Sequence, residues 1–176
     1  MVDPQRKMMI DYLVTDRFPD KLPFAELITK HGVAPAAERL ADAAALRTEL
    51  EDLDAGRLKS RYEAVSGERA RAAEVARPFN QPYAKADFSH WAKLAYWKVD
   101  EGIALLLGCT PQYLIWDSVK GLPSPVVWQF ARIREVATRA VQYKQLSDPG
   151  YPGAFVTWAK RLDFAVPAEL EEKVAA

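Results

Sequence analysis

The chain has almost no cysteine and almost no histidine. Its one cysteine, Cys109, excludes an internal disulfide and leaves no thiolate pair at metal-ligand spacing. The reducing cytoplasm is therefore the default compartment. The two histidines, His31 and His90, lie in opposite halves, so neither a histidine ligand set nor a triad assembles from neighbouring residues. An excess of charge of one sign is missing too. The 24 basic side chains offset 24 acidic ones, which removes the simplest electrostatic argument for a nucleic-acid or membrane-surface partner. No apolar run approaches the ~18 residues of a membrane span. The opening MVDPQRKMMIDYLV has too short an apolar stretch, interrupted by acids, for a signal peptide. There is no glycine-rich phosphate loop, no repeat and no lipidation motif. These absences predict a cytoplasmic protein with no membrane partner, no metal, no cofactor and no catalytic residues.

What is present is helical. Strand signals are nearly absent, and the apolar share of 49% beside a charged share of 27% is that of a globular chain with a core. The expected class is all-α. Pro4 to Thr15 predicts a short helix with Met8, Met9, Tyr12 and Leu13 on one face, and Asp16 to Pro23 a loop. A second helix is expected from about Phe24 to His31, ending at Gly32. From Pro35 a long alanine-, leucine-, glutamate- and arginine-rich stretch follows, the best helix formers. Its apolar stripe is thin: Leu40, Ala43, Leu46, Leu50, Leu53, Leu58, Tyr62 and Val65. The register slips near Gly56, so three sustained heptads are not reached. Residues 1–77 thus predict a helical arm, either one long amphipathic helix or a helical hairpin. Its stripe must pack on the rest of the chain or on a second copy.

Pro78 to Pro82 marks a change of composition and predicts a hinge. All five tryptophans lie beyond it, and residues 83–176 are expected to form a compact helical module. Its central stretch is Trp91 to Trp116. Val99 to Leu107 carries an apolar helical face, with Asp100 as the expected cap and Gly108 as the left-handed stop. Gly102 inside that helix costs about 1 kcal/mol against alanine, which a close approach by another helix would explain. Thr110-Pro111 predicts a second helix through Val119. A long helix opens at Ser124-Pro125 and buries Val126, Val127, Phe130, Ile133, Ala137, Ala140 and Val141, with Glu135 and Arg139 paired at i,i+4 on its other side. Short helices are expected over Ala154 to Leu162 and from Pro167 onward.

The order Tyr96-Trp97, Asp100-Glu101, Ala104-Leu105, Gly108, Pro111, Trp116, then Asp148-Pro149, Pro152-Gly153, Phe155, Trp158-Ala159-Lys160-Arg161 and Pro167-Ala168-Glu169-Leu170 resembles a group of uncharacterised bacterial proteins. In them a phrase like YWTLDEAIAL precedes one like DPxxPGxFxxWAKR. The likeness spans roughly residues 88–172, about half the chain. Lys98 departs from the group's threonine and Gly102 from its alanine. The resemblance implies a shared module and supplies no activity.

Three kinds of function follow. The stretch from Val99 to Val119 is similar to the helix-turn-helix of excisionase-like DNA-binding domains, with Pro111 to Val119 as recognition helix. Gln112, Lys120, Arg132 and Arg139 are then the candidate nucleic-acid contacts, though one lysine and one aspartate on that helix make a poor phosphate reader. An α-hairpin packed inside the module accounts for the same residues. A second possibility is an aromatic binding surface, since tryptophan and arginine dominate interface hot spots. Its candidates are Trp97, Trp116, Trp128 and Tyr151, set against a tryptophan-rich core. An enzyme comes third: Ser89-His90 is not a triad, and Asp100-Glu101 fits a helix start better than an acid–base pair. The expected function is protein binding, as an adaptor or regulator, with a protein partner or self-association. DNA binding is the alternative.

Overall fold

The computed structural model describes residues 3–19 and 24–175. The expected loop over Asp16–Pro23 lies in part outside the described residues. The protein is all-α, and no strand occurs among the described residues. The chain divides into two compact units, Met1–Ala72 and Ala73–Ala176.

The first unit holds α1 (Pro4–Arg17), α2 (Phe24–His31), α3 (Val33–Asp52) and most of α4 (Ala55–Val75). Asp3 caps α1 by accepting from the Gln5 amide, and Gly32, at φ 87°, makes the corner between α2 and α3. The long stretch from Pro35 is divided between two helices rather than forming one. The helix breaks at Leu53, Asp54 accepts from the Arg57 amide to start α4, and Arg61 reaches back to Glu49 at 2.6 Å. Part of the thin stripe is covered inside this unit, while Leu40 stays exposed. Met9, Ile10 and Leu13 of α1 pack with Leu50 and Leu58, with Leu46, Leu53, Tyr62 and Val65 at the margin. Arg6 donates to the Glu51 and Leu53 carbonyls and so satisfies the C-terminal end of α3. The buried face of α1 therefore holds Ile10 rather than Met8, which is exposed.

The second unit begins in the last turn of α4. Pro78–Asn80 and Pro82–Ala84 are two 3-10 turns, and Phe79 and Ala84 are buried in the core of this unit. The expected hinge is thus a packed corner, because Phe79 needs burial more than the prolines need freedom. Glu74 holds the corner. Its carboxylate accepts from Ser124 Oγ at 2.7 Å, Asn80 Nδ2 at 2.9 Å and Arg77 Nε at 2.8 Å. Burial pushes this carboxyl up, but those three hydrogen bonds and the Arg77 charge outweigh burial and hold it below its usual 4.5. A depressed carboxylate stabilises the folded state fully above its unfolded value, and that contribution is lost as pH falls through the folded value. Glu74→Ala is expected to cost about 1.5–3 kcal/mol at neutral pH. In urea titrations the gap between wild type and variant will close toward pH 3, whereas a gap constant across pH would remove the charge from the account.

Helices α5 (Phe88–Trp91), α6 (Val99–Leu106), α7 (Trp116–Val119), α8 (Pro125–Gln142), α9 (Pro152–Arg161) and α10 (Ala168–Ala175) complete the unit. Asp87 caps α5 by accepting from the His90 amide. The expected cap of α6 is corrected. Asp100 lies in the first turn and accepts from Arg134 Nε at 2.7 Å. Asp148, far along the chain, accepts from the Val99 amide instead, and Glu101 accepts from the Lys98 amide at 2.7 Å. Beside this cap Trp97 and Gly150 exchange backbone hydrogen bonds, and the Phe155 ring lies against Gly102. The two phrases of the sequence resemblance therefore meet in one packed joint.

Gly108, at φ 74°, stops α6 as expected, but no helix restarts at Pro111. Ala86 donates to the Gly108 carbonyl and Thr110 donates to that of Ala84, which holds Cys109 and Thr110 extended. Ile115 is extended, and only the single turn of α7 follows. The reason is periodicity. Leu114 and Val119 are both buried, yet five residues on one helix would place them about 140° apart. A turn and an extended residue bring both inward.

Candidate functional site

The strongest candidate surface is the outer face of α8, and it arises from the phase of that helix. Val127, Phe130, Ile133, Ala137 and Ala140 face the core, at the spacing read from the sequence. Trp128, Arg132, Val136 and Arg139 point away, and Tyr143 follows at the helix C-cap. At about 100° per residue these five fall within an arc of about 80°, along about 22 Å of helix. Trp128 is 62% exposed and Tyr143 78%. Arg139 pairs with Glu135 at 2.6 Å, as the i,i+4 spacing predicts. Arg132 makes no ion pair among the described residues. Beside Trp128 opens a hollow of about 600 Å³ walled by Pro125, Ile133 and Phe164, with Arg132 and Asp163 at its edge.

Residues expected in two competing sites are thus divided differently. Trp128 from the aromatic set shares one face with Arg132 and Arg139 from the nucleic-acid set. The others do not join them. Trp97 is only 1% exposed, so its place as a surface anchor is corrected. Its Nε1 donates to the Trp91 carbonyl at 2.9 Å, and its ring meets Phe155 edge-on at 6.2 Å. Trp116 is half-buried, stacked on Phe130 at 5.5 Å with the Arg134 guanidinium 5.1 Å from its ring centre. Tyr151 is exposed, but it precedes α9 and is not part of the α8 face.

Gln112 and Lys120 do not sit on a recognition helix, since that helix is absent. Gln112 Oε1 accepts from Thr110 Oγ1 at 2.5 Å, and Lys120 donates to Asp117 at 2.7 Å. The Lys120 hydrogen bond and charge, with a smaller pull from Arg134, hold the Asp117 carboxyl below its usual range. Lys120 and Asp117 form a surface ion pair, both largely exposed.

Val136 and Tyr143 were missed in the sequence. The signal was there, at eight and fifteen residues from Trp128. A cavity of about 490 Å³ in the first unit, walled by Val14, Phe18, Leu27 and Leu40, was also missed, because its walls come from α1, α2 and α3 together. Arg47 on its wall is paired with Asp11 at 2.6 Å. Among the described residues no three histidine, cysteine or acidic side chains are grouped to hold a metal ion. Burial pushes the Cys109 thiol up to about 11, so it stays protonated and unreactive at neutral pH. No described helix is long and apolar enough to cross a membrane. Comparison with protein-family models, with curated proteins and with solved structures returns no match to this chain.

Proposed function

We propose that the second unit is a protein-binding module, an adaptor or regulatory part acting in the cytoplasm, whose docking face is the outer side of α8. One observation carries this: Trp128, Arg132, Val136, Arg139 and Tyr143 share a single exposed face while the opposite face is fully engaged in the core. Aromatic and arginine side chains supply most of the energy of protein interfaces. Isolated exposed apolar residues need no explanation, but an aligned row does. We take the bacterial group resembled by residues 88–172 to share the packing around Trp97 and Phe155, with its alanine in place of Gly102, rather than this face.

A second copy fits the face less well than a different partner. Part of the stripe that suggested pairing is packed against α1. Antiparallel self-pairing centred on the exposed row, between Glu135 and Val136, would bring Arg132 opposite Arg139 of the other copy, with like charges facing. DNA binding through residues 99–120 is less well supported, because only one helical turn follows Pro111.

The test is a photo-crosslinking amino acid placed at Val136 and, as a control, at Tyr83, in cells producing the protein. The expected result is one protein adduct at Val136, absent at Tyr83 and lost with Trp128→Ala. Trp128→Ala is expected to weaken the purified complex by about 2 kcal/mol or more while shifting folding stability by under about 0.5 kcal/mol. Equal crosslinking at both positions, or an adduct indifferent to Trp128, would refute the docking face. An adduct of twice the chain's mass would make the partner a second copy.

A further inference from the structure

We infer that the first unit binds a small apolar carboxylate, an acyl chain lying between α1 and α3 with its head group at Arg17 and Arg39. This site is independent of the α8 face. The cavity of about 490 Å³ falls within the usual range of small-molecule pockets, about 300–1,000 Å³. Its apolar wall is built by three helices: Val14 and Phe18 at α1, Leu27 of α2, and Leu40 and Ala43 of α3. Leu27 is buried, whereas Leu40 is 45% exposed and leaves apolar surface for a ligand to cover. The middle of the wall is Val14, Leu27 and Ala43, with Thr15 beside them. A ligand body rich in polar groups would lose its water there and find few partners in exchange.

The register of the helices sets the length. α1 and α3 run antiparallel, since Arg6 donates to the Glu51 carbonyl and Asp11 pairs with Arg47 at 2.6 Å. The Asp11–Arg47 pair therefore marks one end of the cavity, and Phe18 with Leu40 marks the other. From Asp11 to Phe18 the chain rises about 10 Å at about 1.5 Å per residue. An extended chain advances about 1.2 Å per bond, so about eight carbons span that length.

Charge selects the head group. Among the described residues Arg17, Arg39 and Arg47 border the cavity, and the carboxylate in its wall is Asp11. Asp11 and Arg47 answer each other at one end. The other end carries Arg17 and Arg39. Arg17 is exposed and makes no ion pair among the described residues. Arg39 Nη1 lies 3.3 Å from His31 Nε2, a contact that brings no negative charge. A guanidinium fork matches a carboxylate in shape as well as sign, while an ammonium head would be repelled.

The experiment titrates the ¹⁵N-labelled full chain with octanoate, octylammonium and acetate, following amide shifts by nuclear magnetic resonance and affinity by calorimetry. Octanoate is expected to bind with a Kd of about 1 mM or tighter and to move amides of α1, α2 and α3. Octylammonium and acetate should bind at least about tenfold more weakly, the first lacking the charge and the second the chain. Arg17→Glu with Arg39→Glu should weaken octanoate at least about tenfold and strengthen octylammonium, an exchange that an unfolded variant cannot produce. Ala43→Phe, which fills the middle of the cavity, should weaken both long-chain ligands while the amide spectrum stays dispersed. Four results overturn the inference: no binding of octanoate, equal affinity for octanoate and octylammonium, shifts spread equally over residues 73–176 as in detergent-like binding, or octanoate affinity unchanged in the double arginine variant.

Discussion

Trp97→Ala will cost the second unit about 3–5 kcal/mol, enough to unfold much of it at 37 °C if its total stability lies in the usual range of about 5–15 kcal/mol. The tryptophan is 1% exposed, and truncation leaves a void that the neighbouring rings cannot fill by sliding, since Phe155 is itself fixed against Trp158 at 5.4 Å. The loss has a polar part as well. The Trp91 carbonyl accepts the indole N–H, and that carbonyl is left without this partner in the variant. Trp97→Phe separates the parts: it keeps most of the ring and loses the donor, so it should cost about 1–3 kcal/mol less than alanine. Urea unfolding followed by near-ultraviolet circular dichroism reads both. A cost for Trp97→Ala under about 1 kcal/mol, or one equal to that of Trp128→Ala, would mean that the two tryptophans are not divided between core and surface as described.

That contrast shows what a sequence can say about a tryptophan. Trp128 lies inside a long periodic segment, and its phase relative to Val127, Phe130 and Ile133 already places it off the buried stripe. Its exposure was legible. Trp97 lies in an irregular segment with no period to consult. Its burial depends on backbone pairing with Gly150 and on the Phe155 ring, both more than fifty residues on. The same division holds for helix ends. The start of α6 was legible from the Asp100-Glu101 pair, and the left-handed Gly108 marked its stop. Which carboxylate caps the Val99 amide was not legible, because Asp148 competes from a distant loop and a local cue cannot rank it. The second helix of the hairpin failed for a related reason. Thr110-Pro111 is a strong local start, yet the backbone at Gly108 and Thr110 bonds to residues 84 and 86, and tertiary pairing overrides the propensity. At the candidate surface Trp128, Arg132 and Arg139 were legible one by one from their residue types, whereas Val136 and Tyr143 join them only through the phase of α8, which residue type alone does not reveal.

Gly102→Val should be among the most damaging single changes in α6, with a loss above about 3 kcal/mol from overpacking alone. A Cβ at this position would lie 2.7 Å from two atoms of the Phe155 ring and 2.9 Å from a third. That ring is buried and wedged between Trp97 and Trp158, so it cannot turn aside without displacing both. Valine adds two further methyls in the same gap and gives up side-chain rotamers in a helix. Alanine is the diagnostic case, because two effects of known sign oppose each other there. Replacing a helical glycine gains about 1 kcal/mol, and forcing the Cβ onto the ring costs about 1–3 kcal/mol. Gly102→Ala should therefore range from neutral to a loss of about 2 kcal/mol. In a Phe155→Leu background the ring is gone, and the same change should turn stabilising by about 0.5–1 kcal/mol. The reversal of sign between backgrounds, read as a double-mutant cycle, isolates the contact from the propensity. If Gly102→Ala stabilises both backgrounds equally, the ring is free to yield, and the glycine is not there to admit it.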